Sequence, residues 1–272
     1  MKSLPLNQLT SIPVLGFGTW QITGDECVKS VKKALEVGYR HIDTANAYGN
    51  HAQVAQGIKE SGVAREEIFI TTKVFYHDLH QEAVLKKCDQ FLQELETEYL
   101  DLLLIHWPNK NVELAETLNA MNELKKRGKI KAIGVSNFTQ RHLEDAKATG
   151  IEVTNNQVEL HPSLNQNDLK EYCGTNNIVL TAYSPLGRGE DLELDIIKEL
   201  ALKYNATPSQ VILNWIMTKN IVAIPKSVNE DRIKENFESL NWEMTAEDVT
   251  HIDANVPQGE RILVPEWAEF DY

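Results

Sequence analysis

The stretch "LDLLLIHW", residues 100–107, is apolar over consecutive positions instead of alternating. A strand that reads this way is covered on both faces, by helices outside and by a core inside, and such strands belong to parallel sheets. Similar segments recur along the chain: "VLGFGTW" (14–20), "HIDTA" (41–45), "IFITTKV" (68–74), "IKAIGVSNF" (130–138), "EVTNNQVEL" (152–160), "IVLTAYSPL" (178–186) and "IVAIPKS" (221–227). Between them the apolar residues take a 3.6-residue spacing. In "DECVKSVKKALEVG", Val28, Val31, Ala34, Leu35 and Gly38 fall on one face, and in "AVLKKCDQFLQELE" Val84, Leu85, Cys88, Leu92 and Leu95 do the same.

Strand and helix thus alternate from end to end, which predicts an α/β fold, a (β/α)8 TIM barrel. "LNQLTSIPVLGFGTW" predicts a short N-terminal hairpin ahead of the first barrel strand. Extra C-terminal helices are predicted over 192–204 and 208–219, with Pro208 in the first turn of the second, and over 245–254. The competing architecture, a doubly wound open sheet, requires a Gly-rich fingerprint after the first strand. The chain offers only Gly16 and Gly18 there, so the open sheet is rejected. No linker composition interrupts residues 1–272, and one barrel domain is expected.

Composition narrows the function. The net charge is −13, with 42% hydrophobic and 25% charged residues, and the isoelectric point is near 5.1. An acidic surface repels nucleic acid and anionic lipid, so an anionic ligand would need a local positive pocket. Cys27, Cys88 and Cys173 are odd in number and far apart, as expected of reduced thiols rather than a disulfide framework or a metal site. No basic segment followed by an apolar run opens the chain, and no apolar stretch reaches the ~18 residues of a membrane span. A cytoplasmic monomer without metal is expected.

A barrel carries its active site at the C-terminal ends of its strands. The polar residues there include Asp43 and Tyr48 in "GYRHIDTANAYGN" (38–50), Lys73 and His106. Each has an ordinary reading: a ring packed at a loop start, a solvated lysine, a core histidine, a turn-capping aspartate. Together they surround one quadrant of the barrel mouth. Lys73 interrupts an apolar strand and needs a counter-ion, which Asp43 on the adjacent strand supplies. A cation beside Tyr48 would lower the phenol pKa, the change expected of a proton donor. His106 would orient a bound carbonyl.

The segments "GYRHIDTANAYGN", "LDLLLIHWP" and "IPKSVNEDRIKENF" resemble, in order and spacing, the signature regions of the aldo-keto reductases, over about Val14 to Asn241. The resemblance implies an NADPH-dependent carbonyl reductase with a catalytic tetrad at Asp43, Tyr48, Lys73 and His106. It places Ser136, Asn137 and Gln157 at the nicotinamide carboxamide, Tyr183 against its ring, and Ser184 and Leu186 along the pyrophosphate. Lys226, Ser227, Val228, Asn229 and Arg232 would take the adenosine 2′-phosphate, and Glu235 and Asn236 the adenine. Thr19 and Trp20 would also face the cofactor. Trp20, Tyr48, His106 and Trp107, with Phe75 or Tyr76, would line the substrate pocket. Short loops make the chain similar to bacterial members that reduce 2,5-diketo-gluconate, methylglyoxal and other small dicarbonyls. Where many relatives carry an acid after "YGN", this chain has His51, with an effect on pocket polarity or pH response as the expectation. The alternatives left by the residues are a Schiff-base aldolase or lyase using Lys73, and a nucleotide-binding regulatory barrel with little turnover.

Overall fold

The computed structural model describes residues 2–272. A hairpin of β1 (Ser3–Pro5) and β2 (Ser11–Pro13) precedes the barrel. Then come β3 (Phe17–Gly18), β4 (His41–Asp43), β5 (Phe69–Val74), β6 (Leu100–Ile105), β7 (Ile130–Ser136), β8 (Asn155–Glu159), β9 (Val179–Tyr183) and β10 (Val222–Ala223). These eight strands pair in parallel in chain order. A bridge between Leu15 and Ala223 joins the first to the last and closes the ring.

Every β5 and β6 residue is buried. Helices supply the outer cover: α1 (Gly24–Val37), α2 (His51–Ser61), α3 (Gln81–Glu94), α4 (Leu114–Lys126), α5 (Gln140–Ala148) and α6 (Asn167–Thr175). They continue with α7 (Asp195–Tyr204), α8 (Pro208–Thr218), α9 (Glu230–Glu238) and α10 (Ala246–Asn255). Val28, Val31, Ala34 and Leu35 turn inward from α1 as the sequence pattern predicts, and Cys27 joins them. Gly38 differs from the expectation: it ends the helix at φ 125°, and a Cβ there would lie 2.7 Å from the Phe237 ring. At α8, Thr207 and Gln210 form a capping box on either side of Pro208, satisfying backbone donors that the helix start leaves open.

The pair of glycines in "GFG" serves the barrel seam. A Cβ on Gly16 would come within 2.4 Å of the His41 imidazole, and one on Gly18 within 2.9 Å of the Ile224 carbonyl. Close approach of β3 to its neighbours therefore demands glycine at both. The three cysteines are unpaired and buried, and burial pushes each thiol up to about 12. Among the described residues no helix is long and apolar enough to cross a membrane.

Candidate active site

Lys73 is wholly buried in β5, where a lone ammonium would be strongly disfavoured. Three oxygens surround it: Asp43 Oδ1 at 2.5 Å, the Thr44 carbonyl at 2.9 Å and the Tyr48 hydroxyl at 3.4 Å. The second Asp43 oxygen accepts from Gln157 Nε2 at 2.6 Å. β4 delivers Asp43, and a 3-10 turn over Asn46–Tyr48 brings the phenol back over the lysine. Burial pushes the Asp43 carboxyl up and the Lys73 ammonium down, and each charge opposes the shift of the other.

Tyr48 departs from the sequence expectation. Burial and then the Asp43 charge raise its phenol well above the usual value of 10. Lys73 is already committed to a carboxylate, so the phenol meets a nearly neutral pair instead of a bare cation. His106, at the end of β6, stands edge-on to Tyr48 with ring centroids 5.9 Å apart. Burial and then Lys73 hold its pKa well below 6.5, so the ring is neutral. Its Nδ1 is buried without a partner, leaving the other ring nitrogen for a ligand.

Asp43, Tyr48 and His106 line a cleft of about 980 Å³; Lys73 lies beneath them, outside the lining. One arm holds Thr19, Trp20, Ser136, Asn137, Gln157 and Tyr183. Asn137, at φ 64°, donates to Ser136 Oγ at 3.1 Å and accepts from the Tyr183 hydroxyl at 2.8 Å, which fixes the ring. Ser184 and Leu186 lead on toward Lys226, Ser227, Arg232, Glu235 and Asn236, all in the lining. Lys226 follows the seam strand β10, and Arg232 lies in the first turn of α9. Among the described residues neither makes an ion pair, so two uncommitted cations stand at a helix N-terminus on an acidic protein. Val228 and Asn229 are outside the lining. Val228 faces solvent, and Asn229 caps α9 by accepting from the Arg232 N–H at 3.0 Å.

Residues 14–256, almost the whole barrel with this site, match the model of the Aldo/keto reductase family. The chain belongs to the aldo-keto reductases. It is 44% identical to a glyoxal reductase of Bacillus subtilis (strain 168), over 93% of this chain and 92% of that protein. It is also 44% identical to a 9,11-endoperoxide prostaglandin H2 reductase of Trypanosoma cruzi (strain CL Brener), over 91% of this chain and 89% of the relative. Among solved structures, an aldo-keto reductase from a Medee basin deep-sea metagenome library superposes with a TM-score of 0.94 at 38% identity, covering 100% of both chains.

The other arm of this aldo-keto reductase's cleft is apolar. Phe75 and Trp107 line it, joined by Leu263, Pro265 and Trp267 from the C-terminal tail. Trp267 stacks on Tyr76 at 4.1 Å and meets Trp107 edge-on at 5.1 Å. Tyr76 therefore backs the wall, and Phe75 faces the cleft. Arg188 sits over the face of Trp20 at 5.1 Å. The positions of the tail residues escape sequence reading because no periodicity governs a segment without regular structure.

His51 does not reach the cleft. It is buried between α2 and the sheet, with Nδ1 2.8 Å from Glu94 and Nε2 2.9 Å from the Thr72 hydroxyl. Its place is the helix–sheet interface, outside the cleft lining. Among the described residues no group of His, Cys, Asp and Glu side chains is placed to hold a metal ion.

Proposed function

We propose that this protein is an NADPH-dependent reductase of aldehydes and ketones, small dicarbonyls in particular. The reading rests on one observation: a buried lysine–aspartate pair under a tyrosine and a neutral histidine, on the floor of a cleft that runs to two unpaired cations. The residues fit the cofactor. Ser136, Asn137 and Gln157 offer amide and hydroxyl groups to a carboxamide, Tyr183 offers a fixed ring face, and Ser184 and Leu186 border the path of the pyrophosphate. Lys226 and Arg232 suit a 2′-phosphate, which favours NADPH over NADH. Glu235 and Asn236 border the far end, where adenine would lie.

A reduced nicotinamide held by Ser136, Asn137, Gln157 and Tyr183 would supply the hydride that the carbonyl carbon accepts. Tyr48 gives its proton to the carbonyl oxygen. An alkoxide is a far stronger base than a phenolate, so the donor need not be acidic at neutral pH; it must be loaded, and a raised pKa keeps it loaded. Lys73 then faces the phenolate oxygen and stabilises its charge, while Asp43 holds the lysine in place. Neutral His106 donates a hydrogen bond to the same carbonyl oxygen and aligns it. The aromatic walls exclude water, which strengthens both interactions.

The glyoxal reductase named above supports small dicarbonyls as substrates, and the prostaglandin H2 reductase marks how far substrates diverge at equal identity. The same reading takes the chain as a single barrel working as a monomer in the cytoplasm, where its thiols stay reduced. Loss of NADPH absorbance with glyoxal, methylglyoxal, 2,5-diketo-gluconate, sugars and aromatic aldehydes tests it. Turnover of the dicarbonyls is expected. NADPH binding without turnover of any carbonyl would leave a nucleotide-binding regulatory barrel instead.

A further inference from the structure

A second cluster of buried ionisable groups lies across the barrel mouth from Lys73. Glu159 ends β8, His161 follows it, and Asp191 belongs to the 3-10 segment Gly187–Glu193. His161 Nδ1 lies 2.8 Å from Asp191 Oδ2, and Nε2 lies 3.3 Å from Glu159 Oε1. Side-chain exposure is 4% or less for all three. None lines the cleft. Glu159 reaches on to a segment that does, and Asp191 belongs to another.

Glu159 accepts from the backbone N–H of Ile262 at 2.7 Å and of Leu263 at 3.0 Å, at the point where the tail turns to supply Leu263, Pro265 and Trp267. Asp191 accepts from the Ser163 N–H at 3.0 Å and from its hydroxyl. Its carboxyl also packs against Gly187, where a Cβ would lie 2.8 Å from Asp191 Cγ. The segment so pinned contributes Arg188, Gly189 and Leu192 to the cleft, and Arg188 and Gly187 both hold positive φ, at 53° and 55°. Ionised carboxylates only accept, so an imidazole between two of them donates from both nitrogens and is a cation. Burial alone would lower the His161 pKa, but hydrogen bonds to Asp191 and Glu159 push it up to about 9.

We propose that Glu159, His161 and Asp191 are positioning residues in which one buried imidazolium tethers two walls of the cleft at once, the substrate-side tail through Glu159 and the 187–193 strap through Asp191. Substrate range is then set partly by a group that touches no substrate. A weakened Glu159 arm lets the Trp267 wall move; a weakened Asp191 arm frees the strap beside the cofactor path. The assignment of the two walls to substrate and cofactor rests on the reading under Proposed function.

Hydrogen–deuterium exchange on the ligand-free full chain tests the tether without relying on turnover. Glu159→Gln is expected to speed exchange at Ile262 and Leu263 about tenfold, the effect of weakening charge-assisted hydrogen bonds, while 187–193 stays protected. Asp191→Asn is expected to do the reverse, and His161→Gln to loosen both. Wild-type protection of the tail in folded Glu159→Gln, or loosening of the whole barrel in equal measure, overturns the tether. If His161→Gln does not fold, the two carboxylate variants decide alone. With a carbonyl panel, Glu159→Gln should raise KM for bulky aromatic aldehydes and leave kcat for small dicarbonyls unchanged. A wild-type chain inert to every carbonyl would overturn the reductase reading, and the exchange data would still decide the tether.

Discussion

The Lys73 ammonium stands 3.4 Å from the Tyr48 hydroxyl, at the long end of a hydrogen bond, because its closest partner is Asp43 at 2.5 Å. The lysine is thus held by the carboxylate and only leans toward the phenol. A proton leaving Tyr48 changes that balance, since the new phenolate competes for the same cation. The arrangement favours a tyrosine that keeps its proton until a strong base forms beside it.

Tyr48→Phe removes that proton and nothing else of the fold. Its kcat is expected to drop by a factor on the order of 10²–10⁴, with NADPH affinity, read by quenching of protein fluorescence, unchanged. Turnover near the wild-type rate would assign the proton to another group.

Lys226→Ala and Arg232→Ala address the cofactor. Neither side chain has an ionic partner to lose, so melting temperature should hold. Each substitution should lower kcat/KM with NADPH by roughly tenfold, about 1.4 kcal/mol, and leave NADH little affected. Equal losses with both cofactors would show that no 2′-phosphate is read there.

Much of this was legible in the sequence. Continuous apolar runs such as "LDLLLIHW" announce strands covered on both sides, and the chain forms all eight where they occur. The outermost segments, 14–20 and 221–227, form regular strand only over Phe17–Gly18 and Val222–Ala223, although backbone hydrogen bonds still join Val14, Gly16 and Gly18 to Ala223 and Pro225 across the seam. Asp43, Tyr48, Lys73 and His106 stood out because each is polar at the end of an apolar strand. Glu159, within the predicted strand 152–160, and His161, just after it, carry the same signal in "QVELHP", but their partners, Asp191 and the tail, lie far off in sequence. The direction of the Tyr48 pKa is not legible in the sequence, because burial, the larger cause, and the Asp43 charge both act only once the chain is folded.

Histidine ionisation gives the protein opposed responses to pH. His41, His51 and His106 all have pKa values lowered first of all by burial, His41 to about 3. The unfolded chain binds these protons more readily, so their contribution to stability is lost as pH falls below 6.5. His161 has the opposite sign: its stabilisation is complete below 6.5 and disappears as pH rises through about 9. Urea midpoints should therefore decline on the acid side, less steeply in His51→Gln. They should decline again between pH 6.5 and about 9, a step reduced in His161→Gln, while the buried thiols add a separate loss above 9 in both proteins. A midpoint that rises on acidification would contradict the sign assigned to the three.

Gly16→Ala tests the seam. The added methyl meets the His41 ring, itself fully buried, so overpacking should cost about 1–3 kcal/mol and lower the melting temperature while the fold survives. Unchanged stability would mean that β3 can draw back from β4.

Dicarbonyls are electrophiles that exposed thiolates attack, and an enzyme working on them, as proposed above, would meet them at every cycle. Cys27, Cys88 and Cys173 are sealed in the packed interior with their protons held to about pH 12, so almost none of their sulfur is anionic under working conditions. Under that reading the packed interior keeps the three sulfurs from the electrophiles that would modify them.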